Sequence, residues 1–310
     1  MNEMVSIIIP TYNASKYLEN LLTKLLEQSL KPYEILIIDS SSTDNTVEIA
    51  KSFGIEPIII PKESFDHGGT RTAAGKIAKG KLLIYLTQDA LPYDIYTIEN
   101  IVKVFEDERT GAAYGRQIPY QDTNLFGKHL RYFNYPIQSY LRKYEDKEKY
   151  GIKTAFLSNS FAAYRKNVLE EIGWFVNNTI LGEDLCAGAK ILKSGYNIAY
   201  AAEAKVYHSH SYTIWQEFKR YFDIGVFHKS NNWILEEFGK PEGEGIRYIK
   251  SEFKFLIYNR AYWLVPEFIA RNVLKFTGYK LGYNYDKIPR DILKKLSMHS
   301  TWWNKTKEIK

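Results

Sequence analysis

Two apolar segments near the start of the chain each end in polar residues, and this pattern constrains the fold more than any other feature. VSIIIPTYN occupies residues 5–13 and EILIIDSSSTDNT occupies residues 34–46, with helically spaced leucines between them at 15–28. This order predicts two buried parallel strands joined by an amphipathic helix. In an open α/β sheet, ligands bind at the carboxyl ends of the strands. The sequence therefore predicts a binding site, suited to a nucleotide, where these polar strand ends meet.

The alternation of strands and helices continues to about residue 117. Further strands are predicted at 58–60, 82–86 and 112–115, with helical segments between them. This alternation is typical of an α/β fold with a mostly parallel central sheet flanked by helices. The rhythm then changes, because residues 118–155 show no clear strand.

The remainder of the chain combines two more strands with a long helical region. Strands are predicted at 160–164 and 198–207, and a helix at 182–192 lies between them. From residue 213 onward the pattern is helical, basic and aromatic, which predicts a helical C-terminal extension. No apolar run approaches the ~20 residues that a membrane-spanning helix needs.

Charge and cysteine content limit the class of protein. The single cysteine, Cys186, cannot form an internal disulfide and fits a reducing compartment. A predicted strand follows Met1 almost directly, so no signal peptide is expected and we predict a cytoplasmic protein. The net charge of +6 is concentrated after Phe218, which suits an anionic membrane surface or a phosphorylated substrate. Nucleic acid has only this net charge in its favour and is not an expected partner.

Two aspartates at strand ends are candidate ligand-binding groups. Asp39 can accept a hydrogen bond from a uracil or thymine ring or from a ribose hydroxyl. We expect Ser42 or Thr43 to cap the next helix, which would leave Asp39 free for a ligand. Asp89 follows the strand at 82–86 and should face the same crevice, where a carboxylate can hold Mg²⁺ or Mn²⁺.

The segment ESFDHGGTRT at 63–72 is a candidate phosphate-binding loop. A glycine such as Gly69 lets the backbone approach a ligand closely, and Arg71 can bind phosphate in bidentate fashion. As a phosphate-binding pattern this segment is weak, because paired glycines with a nearby arginine are common in loops.

Two further polar pairs have competing structural explanations. Glu183 and Asp184 begin a predicted helix, where acidic residues are frequent for electrostatic reasons alone. His208 and His210 follow a predicted strand and share one face of it. Such histidines more often form structural hydrogen bonds than bind a metal, and no second cluster of cysteine or histidine supports a zinc site.

Taken together, these motifs resemble the family 2 glycosyltransferases, which have the nucleotide-diphospho-sugar transferase (GT-A) fold. The motifs are SIIIPTYN at 6–13, EILIIDSSSTDNT at 34–46, TQDA at 87–90 and LGEDL at 181–185. The bacterial dTDP-rhamnose-dependent rhamnosyltransferases are similar to four further segments. These are FDHGGTRTAA at 65–74, YLTQDALP at 85–92, YGRQ at 114–117 and VYHSHSYT at 206–213.

The resemblance implies a division of the chain and a set of donor-binding residues. The catalytic domain would span 1–215, with a donor half at 1–117 and an acceptor half at 118–215. A helical C-terminal region would follow at 216–310. The residues implied to bind the nucleotide-sugar donor are Pro10, Thr11, Tyr12, Asn13, Asp39, Ser41, Gly69, Arg71 and Gln88.

The same resemblance implies metal ligands and a mechanism. Asp89 would be the remaining acid of an Asp-x-Asp motif whose first position is Thr87 here, and His208 would be an additional ligand of Mg²⁺ or Mn²⁺. Asp184, with Glu183 beside it, would be the general base of an inverting transfer. A dTDP-β-L-rhamnose donor would then give an α-L-rhamnoside.

The acceptor would be a glycan or a polyprenyl-diphosphate-linked glycan of a bacterial surface polysaccharide. Arg116 and Trp174 are candidate acceptor contacts, although Trp174 suits a core position equally well. The aromatic and basic segment at 253–268, with Trp302 and Trp303, suits a peripheral contact with the inner face of the plasma membrane. Packing on the catalytic domain or formation of a homodimer explains the same segment.

Three alternative functions stay open at this point. The donor could be a UDP- or GDP-sugar. A sugar-1-phosphate nucleotidyltransferase shares the α/β architecture, but no Gly-rich triphosphate loop is present near residues 8–20. A non-catalytic protein that binds a nucleotide-sugar or a glycan is favoured by the incomplete TQDA motif and opposed by the Glu183–Asp184 pair.

Overall fold

The computed structural model describes residues 4–239 and 243–305, and a nine-stranded mixed sheet forms its centre. The sheet order is β3-β2-β1-β4-β8-β6-β9-β5, and β7 pairs with β9. The strands, in chain order, are β1 (Val5–Thr11), β2 (Glu34–Asp39), β3 (Ile58–Ile59), β4 (Leu82–Leu86), β5 (Leu91–Pro92), β6 (Thr110–Ile118), β7 (Tyr140–Arg142), β8 (Phe161–Arg165) and β9 (Asn197–Tyr207).

Fourteen α-helices are described around this sheet. They are α1 (Ser15–Leu26), α2 (Thr46–Ser52), α3 (His67–Ile77), α4 (Thr97–Lys103), α5 (Leu125–Asn134), α6 (Lys147–Tyr150), α7 (Lys166–Glu171), α8 (Glu183–Lys193), α9 (Ile214–Ser230), α10 (Asn232–Phe238), α11 (Glu244–Tyr258), α12 (Val265–Tyr283), α13 (Arg290–Leu296) and α14 (Trp302–Lys305). Two hydrophobic clusters cover the two faces of the sheet. One contains the buried side chains of α1 and α4, and the other contains those of α7 and α8.

The predicted parallel arrangement is confirmed for the first part of the chain. Strands β3, β2, β1 and β4 are neighbours and run parallel, with Thr11 opposite Asp39 in the register. The apolar runs of β1 and β4 are buried on both faces, which is typical of parallel strands covered by helices, whereas the two residues of the edge strand β3 are exposed. Strand β8 then pairs antiparallel with both β4 and β6, so the complete sheet is mixed. The polar ends of β1, β2 and β4 therefore lie side by side at one edge.

The segment at 118–155, where no strand was expected, contains both α5 and the three-residue strand β7. Helix α5 is amphipathic, and the Asn124 side chain caps it by accepting a hydrogen bond from the Gly127 amide at 2.8 Å. Strand β7 pairs with β9 through residues that are only half-buried or exposed, so it lacks the apolar pattern by which strands are predicted.

The C-terminal helices pack through an unusually close helix-to-helix contact. Helix α9 begins with a capping box, in which the side chains of Thr213 and Gln216 each accept a hydrogen bond from the other's backbone amide. Helix α12 crosses α9 at Gly282, where a Cβ atom would lie 1.9 Å from the Phe222 carbonyl oxygen. The absence of a side chain thus permits backbone contact.

The predicted domain boundary between residues 215 and 216 falls inside α9, and the division of the chain stays a prediction. Both outer limits of the predicted ranges, residues 1 and 310, lie outside the described residues. Within residues 4–239 and 243–305, no helix combines the length and apolar character needed to cross a bilayer.

Candidate active site

The turns after β1 and β2 form one hydrogen-bonded unit centred on Asp39. Asp39 Oδ1 accepts hydrogen bonds from Thr11 Oγ1 at 2.9 Å and from Ser42 Oγ at 2.6 Å. Its Oδ2 accepts one from the Ser42 amide at 2.8 Å, and the residue has no exposed surface. A nucleoside can touch the Asp39 carboxylate only if Thr11 or Ser42 moves.

The expectation that Ser42 or Thr43 caps the following helix is wrong. Helix α2 begins at Thr46, and Asn45 before it makes no side-chain capping bond. Ser42 instead bonds to Asp39 and accepts a hydrogen bond from the Asn13 amide at 2.8 Å, while Asn13 Oδ1 accepts one from the Thr43 amide at 2.9 Å. These two bonds of Asn13 join residues that are 29 and 30 positions apart in the sequence. The two turns therefore hold each other in place.

Gln88 supports the exposed ring of Tyr12. Its Oε1 accepts a hydrogen bond from the Tyr12 amide at 2.8 Å, and its Nε2 donates one to the Tyr12 carbonyl oxygen at 3.2 Å. The Tyr12 ring is 36% exposed, and Lys62 Nζ lies 4.2 Å from the ring centroid. Among the predicted donor contacts, Tyr12, Asn13 and Ser41 are exposed, Pro10 and Gln88 are half-buried, and Thr11 is buried.

Asp89, His208 and His210 form a cluster with the geometry of a metal site. Asp89 Oδ1 lies 3.5 Å from His208 Nε2, and Asp89 Oδ2 lies 3.9 Å from His210 Nε2. One ligand atom from each residue lies within 4.8 Å of the others. One carboxylate and two imidazoles suit a divalent transition-metal ion. His210 is a member that the sequence reasoning did not select as a ligand.

The hydrogen bonds of Gln117 orient the His208 ring. Gln117 Nε2 donates to Ser158 Oγ at 3.0 Å, so its Oε1 faces His208 Nδ1 at 2.8 Å. Nδ1 then carries the proton and the lone pair of Nε2 points toward Asp89. A cation between the two acceptors, His208 Nε2 and the Asp89 carboxylate, would stabilise this arrangement. A side chain such as Gln117, which binds the other ring nitrogen, is typical of metal-binding histidines.

The protonation states of this cluster also suit a metal. Burial lowers the pKa of His208, and burial lowers the pKa of His210 to about 4. Burial alone would raise the pKa of Asp89, but a proton on His208 Nε2, in the place that a metal cation would take, donates a hydrogen bond to the carboxylate and holds that pKa below its usual range. Neutral imidazoles and an ionised carboxylate are the forms that bind a metal.

Glu183 and Asp184 begin α8 and lie in different environments. Glu183 Oε1 is 3.2 Å from Arg71 Nη1 and accepts a hydrogen bond from Asn159 Nδ2 at 3.1 Å. Asp184 Oδ2 accepts one from the Asn159 amide at 3.1 Å, and its Oδ1 accepts one from the Leu185 amide at 2.9 Å. Asp184 thus has no cationic partner within the described part of the chain.

These environments separate the pKa values of the two acids. Burial and the neighbouring Glu183 charge raise the pKa of Asp184 to about 7. Burial would also raise the pKa of Glu183, but the Arg71 guanidinium outweighs it and lowers that pKa. A pair of carboxyl groups with divergent pKa values is the arrangement found in acid–base catalysis. Asp184 is therefore the member suited to take up a proton near neutral pH.

Arg71 forms a buried ion pair with Glu183. The side chain is 5% exposed, pairs with Glu183 and donates a hydrogen bond to the His67 carbonyl oxygen at 3.0 Å. The Gly69 amide donates to Asp66 Oδ1 at 2.6 Å and so completes the cap of α3. Gly68, Gly69 and Arg71 lie in the first two turns of α3, so the prediction of a loop at these residues is wrong, and the close approach occurs at Gly68, where a Cβ would lie 1.8 Å from the Val176 carbonyl oxygen. Contacts of Gly69 and Arg71 with the donor diphosphate stay predictions.

The structure buries one of the two candidate acceptor contacts, Trp174, while the role of Arg116 stays a prediction. Trp174 is 7% exposed and belongs to a hydrophobic core cluster, with its ring against Gly75, so the expected stacking on a sugar is wrong and the core alternative applies. Arg116 is half-buried on β6, and its charge acts on Tyr200 and Glu203. Neighbouring side chains on a strand face opposite ways, so Arg116 points away from Gln117 and His208.

A groove of ≈ 550 Å³ opens beside Asp89 and His210. Its walls come from α1, from the segments after β6 and β9 and from the start of α9, and they include Tyr17, Asn20, Tyr120, Tyr212 and Gln216. Two arginines that the sequence reasoning did not select, Arg131 on α5 and Arg220 on α9, carry charges that act on both histidines of the cluster. Helical periodicity alone could not distinguish them from surface residues.

Comparison with known proteins agrees with this geometry. A profile of the glycosyl transferase family 2 matches residues 6–173. The chain is 44% identical to an O-antigen chain rhamnosyltransferase of Salmonella typhimurium over 99% of both chains. It is 42% identical to an O-antigen chain rhamnosyltransferase of Salmonella anatum, over 98% of this chain and 99% of that protein.

Solved structures share the fold at low sequence identity. The mannosyltransferase of Pyrobaculum calidifontis, in complex with GDP-Man and Mn²⁺, superposes with a TM-score of 0.59 at 17% identity over 99% of this chain and 87% of that chain. TarS of S. aureus gives a TM-score of 0.57 at 16% identity, over 95% of this chain and 83% of that chain. These similarities establish the predicted GT-A type of fold.

Proposed function

Because the chain belongs to glycosyl transferase family 2 and is a glycosyltransferase, we propose that it transfers L-rhamnose from dTDP-β-L-rhamnose to a glycan hydroxyl. The acceptor is a glycan of a bacterial surface polysaccharide, free or linked to a polyprenyl diphosphate. The observation that carries the proposal is the 44% identity with an O-antigen chain rhamnosyltransferase across 99% of both chains.

The proposed reaction is a single displacement with Asp184 as general base. Asp184 takes the proton of the acceptor hydroxyl while that oxygen forms a bond to C1 of the sugar. The bond between C1 and the diphosphate oxygen breaks, so the products are an α-L-rhamnoside and dTDP. Glu183 and Asn159 position Asp184, and the Tyr12–Asn13 turn with Ser41 offers the exposed surface for the nucleoside. Asp89, His208 and His210 would hold Mg²⁺ or Mn²⁺, which when bound offsets the negative charge of the departing diphosphate.

We expect dTDP-β-L-rhamnose to raise the melting temperature more than UDP-glucose or GDP-mannose at equal concentration. A ligand that binds only the folded protein stabilises it by about 2.7 kcal/mol at a hundredfold excess over Kd. The measurement is a thermal-shift series with Mn²⁺ present, followed by product analysis. A larger rise in melting temperature with a UDP- or GDP-sugar would identify that sugar nucleotide as the donor instead. Released pyrophosphate would indicate a nucleotidyltransferase, and binding without turnover would indicate a binding protein.

Removal of the metal ligands should abolish metal-dependent stabilisation and most activity. We expect Asp89→Asn and His210→Ala each to weaken Mn²⁺ binding by at least ~10–100-fold, which is already the usual cost of losing a residue that only orients a metal ligand. The measurement is Mn²⁺ titration followed by electron paramagnetic resonance, and the matched control is Asp107→Asn, a surface carboxylate paired with Arg109. Full turnover in excess EDTA would show that the transfer does not need a divalent cation.

We also propose that α11, α12 and the turn between them bind an anionic membrane surface. Exposed apolar residues line one stripe of each helix, at Ile246, Ile249 and Phe253 on α11 and at Ile269, Val273 and Phe276 on α12. Trp263 in the connecting turn is 74% exposed. Exposed Lys250, Lys254, Arg260 and Lys280 accompany these residues, and this combination is typical of interfacial helices.

Co-sedimentation with vesicles tests this surface. We expect binding to vesicles of phosphatidylglycerol and phosphatidylethanolamine but not to phosphatidylcholine, with a loss of ~10-fold in the Trp263→Ser variant because a buried aromatic side chain contributes ~1.5–3 kcal/mol. Tyr33→Ser, which removes another exposed aromatic ring, is the control. A concentration-dependent dimer that Trp263→Ser dissociates, without vesicle binding, would assign the surface to a homodimer.

A further inference from the structure

Two arginines on the C-terminal side of the cleft, Arg131 and Arg220, form no ion pair with a carboxylate among the described residues 4–239 and 243–305. The ion pairs between arginine and a carboxylate in these residues involve different arginines, for example Arg71 with Glu183 and Arg271 with Glu217. We propose that Arg131 and Arg220 bind the diphosphate of the sugar donor through its β-phosphate. This inference rests on the proposed glycosyltransferase function.

A chain of ring contacts connects Arg220 to the candidate metal ligands Asp89 and His210. The guanidinium carbon of Arg220 lies 6.0 Å from the Tyr212 ring, and that ring lies 5.2 Å from the His210 ring. His210 in turn faces Asp89 at 3.9 Å. Arg220 is exposed on α9, so its guanidinium can reach a ligand in the cleft.

Helix α9, which carries Arg220, is also connected to α3, the helix that carries Arg71. One turn further along α9, Asp223 Oδ2 accepts hydrogen bonds from the amides of Met298 at 2.9 Å and His299 at 3.2 Å. The His299 ring lies 5.3 Å from the His67 ring on α3. Helix α9, which carries Arg220, therefore links the candidate metal ligands to α3.

Arg131 approaches the same space from α5. Its guanidinium carbon lies 5.9 Å from the Tyr135 ring. The Tyr135 hydroxyl interacts with Ser158, which also accepts the hydrogen bond of Gln117, the residue that orients the His208 ring. Arg131 is half-buried and forms no ion pair with a carboxylate of the described residues, so an anion in this space would stabilise its charge.

A diphosphate matches this arrangement better than a single carboxylate would. It carries several oxygens for two planar guanidinium forks, and each fork can bind phosphate in bidentate fashion. During transfer the β-phosphate gains the charge of the breaking bond, and two arginines at that position stabilise it most when it leaves. A lipid-linked acceptor also contains a diphosphate, but the place beside Asp89 and Asp184 favours the diphosphate that is expelled from C1.

The ratio of dTMP to dTDP affinity tests the proposal. We expect Arg220→Gln and Arg131→Gln each to weaken dTDP binding by ~10-fold or more and dTMP binding by far less, because a charge-assisted hydrogen bond contributes ~1.5–3 kcal/mol. The ratio of the two dissociation constants then moves toward one. Isothermal titration with Mn²⁺ measures both ligands. Arg109→Gln, which loses the same charge from a surface ion pair, keeps the wild-type ratio.

Further measurements separate the possible failures. Arg131→Lys retains a positive charge and should recover part of the lost dTDP affinity, and thermal unfolding verifies that each variant is folded. Unchanged dTDP affinity in folded Arg220→Gln would overturn the proposal. A rise in the KM of the lipid-linked acceptor alone would reassign the arginines to the acceptor diphosphate. If the wild-type protein binds none of dTDP, UDP and GDP, the proposed function itself fails.

Discussion

Asp184→Asn lowers kcat by ~10²–10⁴-fold while dTDP binding is retained. This range is the usual contribution of a positioned general base, and an amide cannot take up the acceptor proton. The measurement compares steady-state turnover with dTDP affinity for the wild-type and variant proteins. Near-normal turnover in the variant would exclude Asp184 as the base.

The pH dependence gives a second test of the same residue. Burial and the Glu183 charge raise the pKa of Asp184 to about 7, so kcat/KM should fall as pH decreases through about 7. Glu183→Gln removes the charge and should move this midpoint to lower pH. Burial also raises the pKa of Asp223, to about 6, so this acid could cause a similar pH dependence. Asp223→Asn tests whether it does. A midpoint that follows Asp223→Asn and not Glu183→Gln would contradict the assignment.

The same ionisation has the opposite effect on folding. An acid whose pKa is raised in the folded state binds its proton more tightly there, so its contribution to stability is present at low pH and is lost as pH rises through about 7. Asp184→Asn has no ionisable group at this position, so the variant lacks this pH-dependent loss of folding stability. The free energy of unfolding of the variant should therefore gain on that of the wild type between pH 5 and pH 8, when both are measured in urea.

Local patterns predicted the parts of the site that lie on the regular framework. The apolar runs of β1 and β2 end at Thr11 and Asp39, and the observed register places these residues opposite each other. The end of β4 presents Asp89 at the same edge. These features follow from strand periodicity and from the rule for parallel sheets, which depend on short segments of sequence.

Side-chain partners across long sequence separations could not be predicted in this way. Gln88 holds Tyr12 from 76 residues away, and Asn159 reaches Asp184 from 25 residues away. Arg131 and Arg220 lie on amphipathic helices, where a cleft residue and a solvated residue have the same spacing. Trp174 illustrates the same difficulty, because the sequence suited a sugar contact and a core position equally well, and the choice depends on the distant Gly75 of α3 against which the ring packs.

Arg71→Met destabilises the protein by ~3–5 kcal/mol, the usual cost of leaving one partner of a buried ion pair uncompensated. The Arg71 and Glu183 side chains are each 6% exposed and 3.2 Å apart, so water cannot replace the guanidinium. The loss should be larger at pH 8 than at pH 5, because the Glu183 carboxyl group without Arg71 can become neutral only by taking up a proton. Urea unfolding at the two pH values measures both effects.

The double variant Arg71→Met/Glu183→Gln identifies the cause of that loss. If the uncompensated charge is responsible, the neutral amide should restore most of the lost free energy, since Gln keeps an oxygen that can accept the hydrogen bond of Asn159. Arg109→Met removes the same side chain from the surface pair with Asp107, where exposed ion pairs contribute only ~0–1 kcal/mol. Equal losses in Arg71→Met and Arg109→Met would contradict the assignment of Arg71 to Glu183. They would leave Arg71 available for the donor diphosphate that the sequence resemblance implies.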